Sequence, residues 1–129
     1  MRVAIPFWND RVSPVFDASR RLVVVDVEDG LERARHQETL QEEFPTRRAR
    51  QLAQLGVNVL ICGAISRPLA TLLAASGITL IPWTAGPVDE VLAAYLAGRL
   101  PDPRWMMPGC GGRQQRHRGG CGPRGRKDG

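Results

Sequence analysis

The sequence predicts an α/β protein: a mixed five-stranded sheet with helices on both faces, in the order β-β-β-α-β-α-β-α. Three observations predict it. Residues 2–7, 57–62 and 78–81 are short apolar runs that read as buried strands. Helical patterns separate the last two runs and follow each of them, so the three strands should be parallel. An Asp29-Gly30 pair joins two further strand-like runs into a hairpin.

The elements follow in chain order. Arg2-Val-Ala-Ile-Pro-Phe7 is the first strand, and turn formers over residues 8–19 read as a long loop. Residues 20–27 form the second strand, with the third at 31–39. That third run is polar (Glu32, Arg33, Arg35, His36, Gln37, Glu38), which suits an edge strand guarded by charge. Thr46 is placed to cap a helix through Leu55, with Gly56 as its left-handed stop. The nearly continuous apolar run 57–62 is the central strand. Ser66 caps the second helix, Pro68 fits its first turn, and Gly77 ends it. After the strand 78–81, Pro87 opens the last helix. Val88, Val91, Leu92, Tyr95 and Leu96 make its apolar stripe.

Composition divides the chain in two. It has 129 residues, 43% of them apolar, and a formal charge of +5. Residues 1–100 balance eleven Arg against eleven acids; residues 101–129 carry six Arg and one Lys against two Asp. The basic character therefore belongs to the tail. Eight of the fourteen Gly also lie there, and such a segment lacks the apolar surface to fold alone. The reading is a domain over residues 1–100 and a disordered Gly/Arg/Cys-rich tail over 101–129. A basic nucleic-acid module is excluded for the domain by charge. The sequence has no membrane-length apolar run and no secretory signal pattern, and its three Cys are an odd number. These features read as cytoplasmic.

The order and the loops resemble the dinitrogenase iron–molybdenum cofactor biosynthesis family, of the NifX and NifB C-terminal type, over about residues 1–100. The resemblance is carried by Val3-Ala4-Ile5-Pro6, by Val12-Ser13-Pro14-Val15-Phe16-Asp17, and by Leu22 to Val27 closed by Glu28-Asp29-Gly30. It continues in Leu60-Ile61-Cys62-Gly63-Ala64-Ile65 and Ser76-Gly77-Ile78. It implies a ribonuclease-H-like three-layer arrangement. It also implies a nonenzymatic carrier of an iron–sulfur or molybdenum-containing cluster, with a cluster-donor or acceptor protein as partner. Many members carry His-Phe-Gly in the loop after the first strand, the His being a suspected cluster contact. Val15-Phe16-Asp17 stands here, so no histidine ligand transfers.

In such a sheet, ligands sit beyond the carboxyl ends of the parallel strands. The loops there bring Asn9, Ser13, Phe16, Cys62, Gly63, Ser66, Arg67, Trp83, Thr84 and Gly86 into one candidate cofactor crevice, with Trp8 at its rim. Helix N-termini at Ser66 and Gly86 would aim backbone N–H groups at an anion, and such clusters are usually anionic. Ser66 is equally a plain cap, and the glycines equally plain turns. Cys62 ends a strand at the lip of the crevice, where a thiolate would suit iron or a molybdenum-type centre. Free cysteine also behaves as a small buried hydrophobe.

The tail offers Cys110, His117 and Cys121, spaced Cys-x6-His-x3-Cys between glycine pairs. With Cys62 these are the candidate metal ligands. A closed structural zinc site wants four ligands, and no Cys-x2-Cys pair exists, so a zinc finger fits poorly. The alternative is a solvated basic tail that binds an acidic protein or nucleic acid. Nucleic acid is disfavoured because no aromatic residue follows Trp105. A ribonuclease-H-type nuclease would need clustered carboxylates, and residues 3–7 and 57–62 carry none. The leading reading is metallocluster binding or carriage without catalysis; the second is a regulatory module acting through the tail.

Overall fold

A computed structural model describes residues 1–41, 44–100 and 103–107. The strands are β1 (Arg2–Trp8), β2 (Arg11–Val12), β3 (Arg21–Glu28), β4 (Leu31–Thr39), β5 (Val59–Ile61) and β6 (Thr79–Ile81). The helices are α1 (Pro45–Gln54), α2 (Arg67–Ala75) and α3 (Val88–Leu96). The sheet runs β4-β3-β1-β5-β6. β1 lies at its centre, antiparallel to β3 and parallel to β5, and β6 is parallel to β5.

Strand alternation divides the core. Ala4, Leu22, Val24, Leu60 and Cys62 pack with Ala49 and Leu52 of α1 and Leu69 and Leu73 of α2. Val3, Ile5, Val23, Val25, Val59 and Ile61 pack with Val88, Val91 and Leu92 of α3. With a side-chain period of two, these are opposite faces of one sheet, so helices cover both. Burying a Val, Leu or Ile side chain stabilises by about 1.5–3 kcal/mol.

Three expectations are corrected. The sheet has six strands, because the region expected as a loop over residues 8–19 contains β2 and a single 3₁₀ turn at Phe16–Ala18. The two residues between β1 and β2, Asn9 and Asp10, both adopt left-handed backbone (φ 51° and 63°), which permits a tight hairpin there. α1 is not capped by Thr46: Phe44 is its N-cap and Pro45 its first residue, whose fixed φ suits that position. Likewise Pro87 is the N-cap of α3 rather than its first residue.

The Asp29-Gly30 turn forms as expected, with φ 56° and 75°. β4 is the exposed edge. Its Arg35 grips Glu32 through two contacts of 2.6 and 2.9 Å and reaches Asp89 of α3 at 2.8 Å.

Candidate functional site at the carboxyl end of the parallel strands

The three loops expected to converge do converge, and they do so by backbone pairing. The β1–β2 hairpin pairs Phe7 with Val12 and Trp8 with Arg11. Its far side docks on the start of α3. Val12 N donates to Gly86 O and Val88 N donates to Asp10 O, each at 2.9 Å. The next segment runs beside residues 63–66. Ala64 N donates to Pro14 O at 2.7 Å, and Phe16 N donates to Ala64 O at 2.8 Å.

Gly63 permits this approach. A Cβ there would stand 2.5 Å from Pro14 O and 2.6 Å from Ser13 O. The following loop adds a third row: Trp83 N donates to Gly63 O, and Thr84 N to Cys62 O, both at 2.9 Å.

Residues 103–107 add a fourth. Ala85 N donates to Trp105 O, Met107 N donates to Trp83 O at 2.9 Å, and Thr84 bridges Met106. Gly86 lets the Trp105 ring down, since a Cβ would lie 3.0 Å from it.

The expectation of a crevice lined by free backbone donors is therefore corrected at the groups named. The N–H groups of Ala64, Trp83, Thr84 and Val88 are all spent on neighbouring loops. One donor of the α2 N-terminus is spent too. Ser66 is its N-cap but makes no side-chain cap bond; instead Ser66 N donates to Asp17 Oδ1 at 2.8 Å. The protein supplies its own anion at that helix end.

Cys62 is corrected as well. It lies wholly inside the α1/α2-side core with Leu60, Ile65 and Leu69, not at a lip. Burial pushes its thiol far above the usual range, and the negative field of Asp17 adds to this. Such a group is a neutral thiol at pH 7, unsuited to hold a metal from outside.

The other anticipated residues divide by exposure. Phe16 is fully buried, while Ser13 and Thr84 are buried. Ser13 Oγ accepts from Ser19 Oγ at 2.8 Å. Asn9 and Arg67 are exposed, and Trp8 is 67% exposed. Trp83 is half-buried, with left-handed backbone at φ 62°. Its indole Nε1 is sealed from solvent with no hydrogen-bond partner among the described residues. That combination of strain and an unmet donor marks Trp83 as a residue the site holds in place. Cys110, His117 and Cys121 lie outside the described residues.

Two residues at this end were missed in the sequence. Arg48 of α1 is 2% exposed and donates through Nη1 to Ser19 O at 2.8 Å and Phe16 O at 3.3 Å. Its guanidinium also lies 5.5 Å from the Phe16 ring centre. The available signal was a charged residue on the apolar stripe of α1. Trp105 is the other, signalled by an indole stranded in a Gly/Arg tail. With it, the protein's three tryptophans, Trp8, Trp83 and Trp105, all belong to this end. At the other end of the sheet, Arg2, Asp26, Arg33 and Asn58 line an open cleft of about 390 Å³. Its arginines are already paired, Arg2 with Asp26 at 2.7 Å and Arg33 with Glu28 at 3.7 Å.

The family described as dinitrogenase iron-molybdenum cofactor has a model that matches residues 1–98. The chain belongs to this family. An uncharacterized protein of Methanocaldococcus jannaschii is 25% identical over 107 residues, spanning 78% of this chain and 89% of its own. The crystal structure of PH0822 matches with a TM-score of 0.73 at 25% identity, covering 77% of this chain and 93% of that one. The apo form of the orange protein from Desulfovibrio gigas matches at 0.62 and 25% identity, covering 84% and 93%. The family match takes in every loop of the carboxyl end up to Gly86. The segment 103–107, which closes the fourth row, lies beyond it. No helix of the described residues is long and apolar enough to cross a membrane.

Proposed function

We propose that this protein binds and carries an anionic iron–sulfur or molybdenum-containing cluster, as an accessory to nitrogenase-type cofactor assembly, without catalysing a reaction. The observation that carries this reading is the family match over residues 1–98, which spans the loops at the carboxyl end. The orange protein of Desulfovibrio gigas, a structural relative described in an apo form, is in keeping with a binding role for this fold.

The chemistry of the face sets how cargo would be held. Cys62 is buried as a thiol, so the folded domain offers no thiolate. Charge and hydrogen bonding remain. The exposed Arg11 and Arg67 supply cations and the exposed Asn9 an amide. Cluster-donating and cluster-accepting proteins are the partners this role needs.

The test is anaerobic reconstitution with iron, sulfide and thiomolybdate, then desalting, metal analysis and a visible spectrum. The full chain should retain a chromophore, Cys62→Ala should retain it equally, and Arg11→Ala with Arg67→Ala should lose most of it. No retained metal in the full chain would sink the proposal.

A further inference from the structure

We infer that residues 103–107 are a latch, which opens as a unit while the domain stays folded and so sets when cargo enters or leaves the carboxyl end. Three observations carry it. The first is how the latch is docked. Trp105 O accepts from Ala85 N, Met107 N donates to Trp83 O at 2.9 Å, and Met106 bridges Thr84 in antiparallel pairing. The loop beneath has a second hold of its own. Trp83 N donates inward to Gly63 O and Thr84 N to Cys62 O, both at 2.9 Å. The outer row can therefore part without breaking the inner one. The family match ends at residue 98, so the latch is an addition to the shared domain.

The second observation is the joint. Gly86 has a φ of 133°, and a Cβ there would meet the Trp105 ring at 3.0 Å and Val91 at 3.3 Å. The half-buried Trp105 ring packs against the cluster that holds Val88, Val91 and Leu92. Arg104 beside it is exposed. One aromatic ring is the principal apolar anchor of a five-residue segment, which makes a local unit of low stability. The third is strain. The carbonyl that receives Met107 belongs to Trp83, whose left-handed φ of 62° disfavours the closed form.

The latch also lies beside a residue assigned above to cargo. Arg11 pairs with Pro87 in an isolated antiparallel bridge, so the exposed arginine stands next to the glycine that the Trp105 ring covers. Closed, the latch occupies the Ala85 N–H and covers Gly86. Open, it returns the donor and uncovers the edge of the loop. The gate rests on the carrier reading; the opening stands on the geometry of the latch alone.

Amide hydrogen exchange on the full native chain tests the opening. Ala85 and Met107 should share one protection factor, below those of Thr84 and of Leu60 in β5. Trp105→Ala should lower protection at Ala85 and Met107 by about tenfold or more and leave Thr84, Leu60 and the urea midpoint near native. Trp105→Phe, which keeps a ring over Gly86, should restore most of it. The latch is overturned if Ala85 and Thr84 open together, if Trp105→Ala leaves Ala85 unchanged, or if that variant loses the domain's fold. The gate is read by anaerobic reconstitution with iron, sulfide and thiomolybdate, followed by transfer to a chelator. Uptake and loss should both quicken in Trp105→Ala, by the same factor as exchange at Ala85, because both pass through the open form. Unchanged rates beside altered exchange overturn the gate. A native chain that retains no metal overturns the carrier reading and the gate with it, while the exchange pattern still decides the latch.

Discussion

The Asp17 carboxylate accepts a 2.8 Å hydrogen bond from the backbone N–H of Ser66, tying the segment after β2 to the start of α2 across 49 residues of sequence. The bond satisfies a helix N-terminal donor and places a negative charge at the positive end of the dipole. Asp17→Ala should therefore lower stability by about 1 kcal/mol. Asp17→Asn, which keeps an acceptor oxygen, should recover part of that. Urea unfolding of the three proteins decides it; coincident curves would mean that this bond contributes nothing.

Gly63 and Gly30 should respond differently to alanine. At Gly63 the new methyl would meet two backbone carbonyls at 2.5 and 2.6 Å, so the 13–16 and 63–64 segments must part. About 1–3 kcal/mol should be lost. At Gly30 there is open space, and only the left-handed φ of 75° resists, costing about 1 kcal/mol. The larger shift in urea midpoint is expected for Gly63→Ala, together with faster amide exchange at Phe16 and Ala64.

The Cys62 thiol should make stability fall in alkali. Its ordinary value is 9.0, and burial raises it in the folded state. A raised folded value means that its contribution is complete below about pH 9. Above that, the unfolded chain ionises first and stability is lost, by at most about 1.4 kcal/mol per pH unit from this group. Unfolding midpoints at pH 7 and pH 10 should differ more for the native chain than for Cys62→Ala. In the folded protein at pH 7, this thiol should also resist alkylation while thiols of the unfolded chain react.

Arg48 straps the segment that carries Phe16. Replacing it with Met keeps much of the bulk and removes the bonds to the Ser19 and Phe16 carbonyls. Hydrogen bonds from a buried charge are each worth about 1.5–3 kcal/mol, so Arg48→Met should cost at least about 2 kcal/mol. Loss of amide protection should concentrate in residues 13–19. An unchanged exchange pattern would show that the strap is held by packing alone.

How much of this was legible in the sequence differs element by element. The β3–β4 hairpin was readable because Asp29-Gly30 and the alternating runs beside it are local signals. Ser66 as the N-cap position of α2 was readable for the same reason, although its hydroxyl makes no cap bond. The hairpin at Asn9-Asp10 was not, because the usual glycine is absent and β2 has only two residues. Arg48 was hidden because a charged residue on a helix is read as solvated until its carbonyl partners are known.

The candidate site separates the two sources of information most clearly. Alternation and turn chemistry are properties of neighbouring residues, so the sequence by itself determined a mixed α/β sheet, its hairpin, and the loops that gather at one end. Which donors and thiols remain available there depends on segments tens of residues apart. Closure of residues 13–16, 63–64, 83–85 and 105–107 onto one another consumed the backbone donors named above. Continued alternation beyond Leu60 turned Cys62 to the α1/α2 side, where packing excludes water and keeps the thiol protonated. Only the tertiary structure decided those outcomes, because desolvation and pairing are set by what lies opposite in space, not by what lies adjacent in the chain.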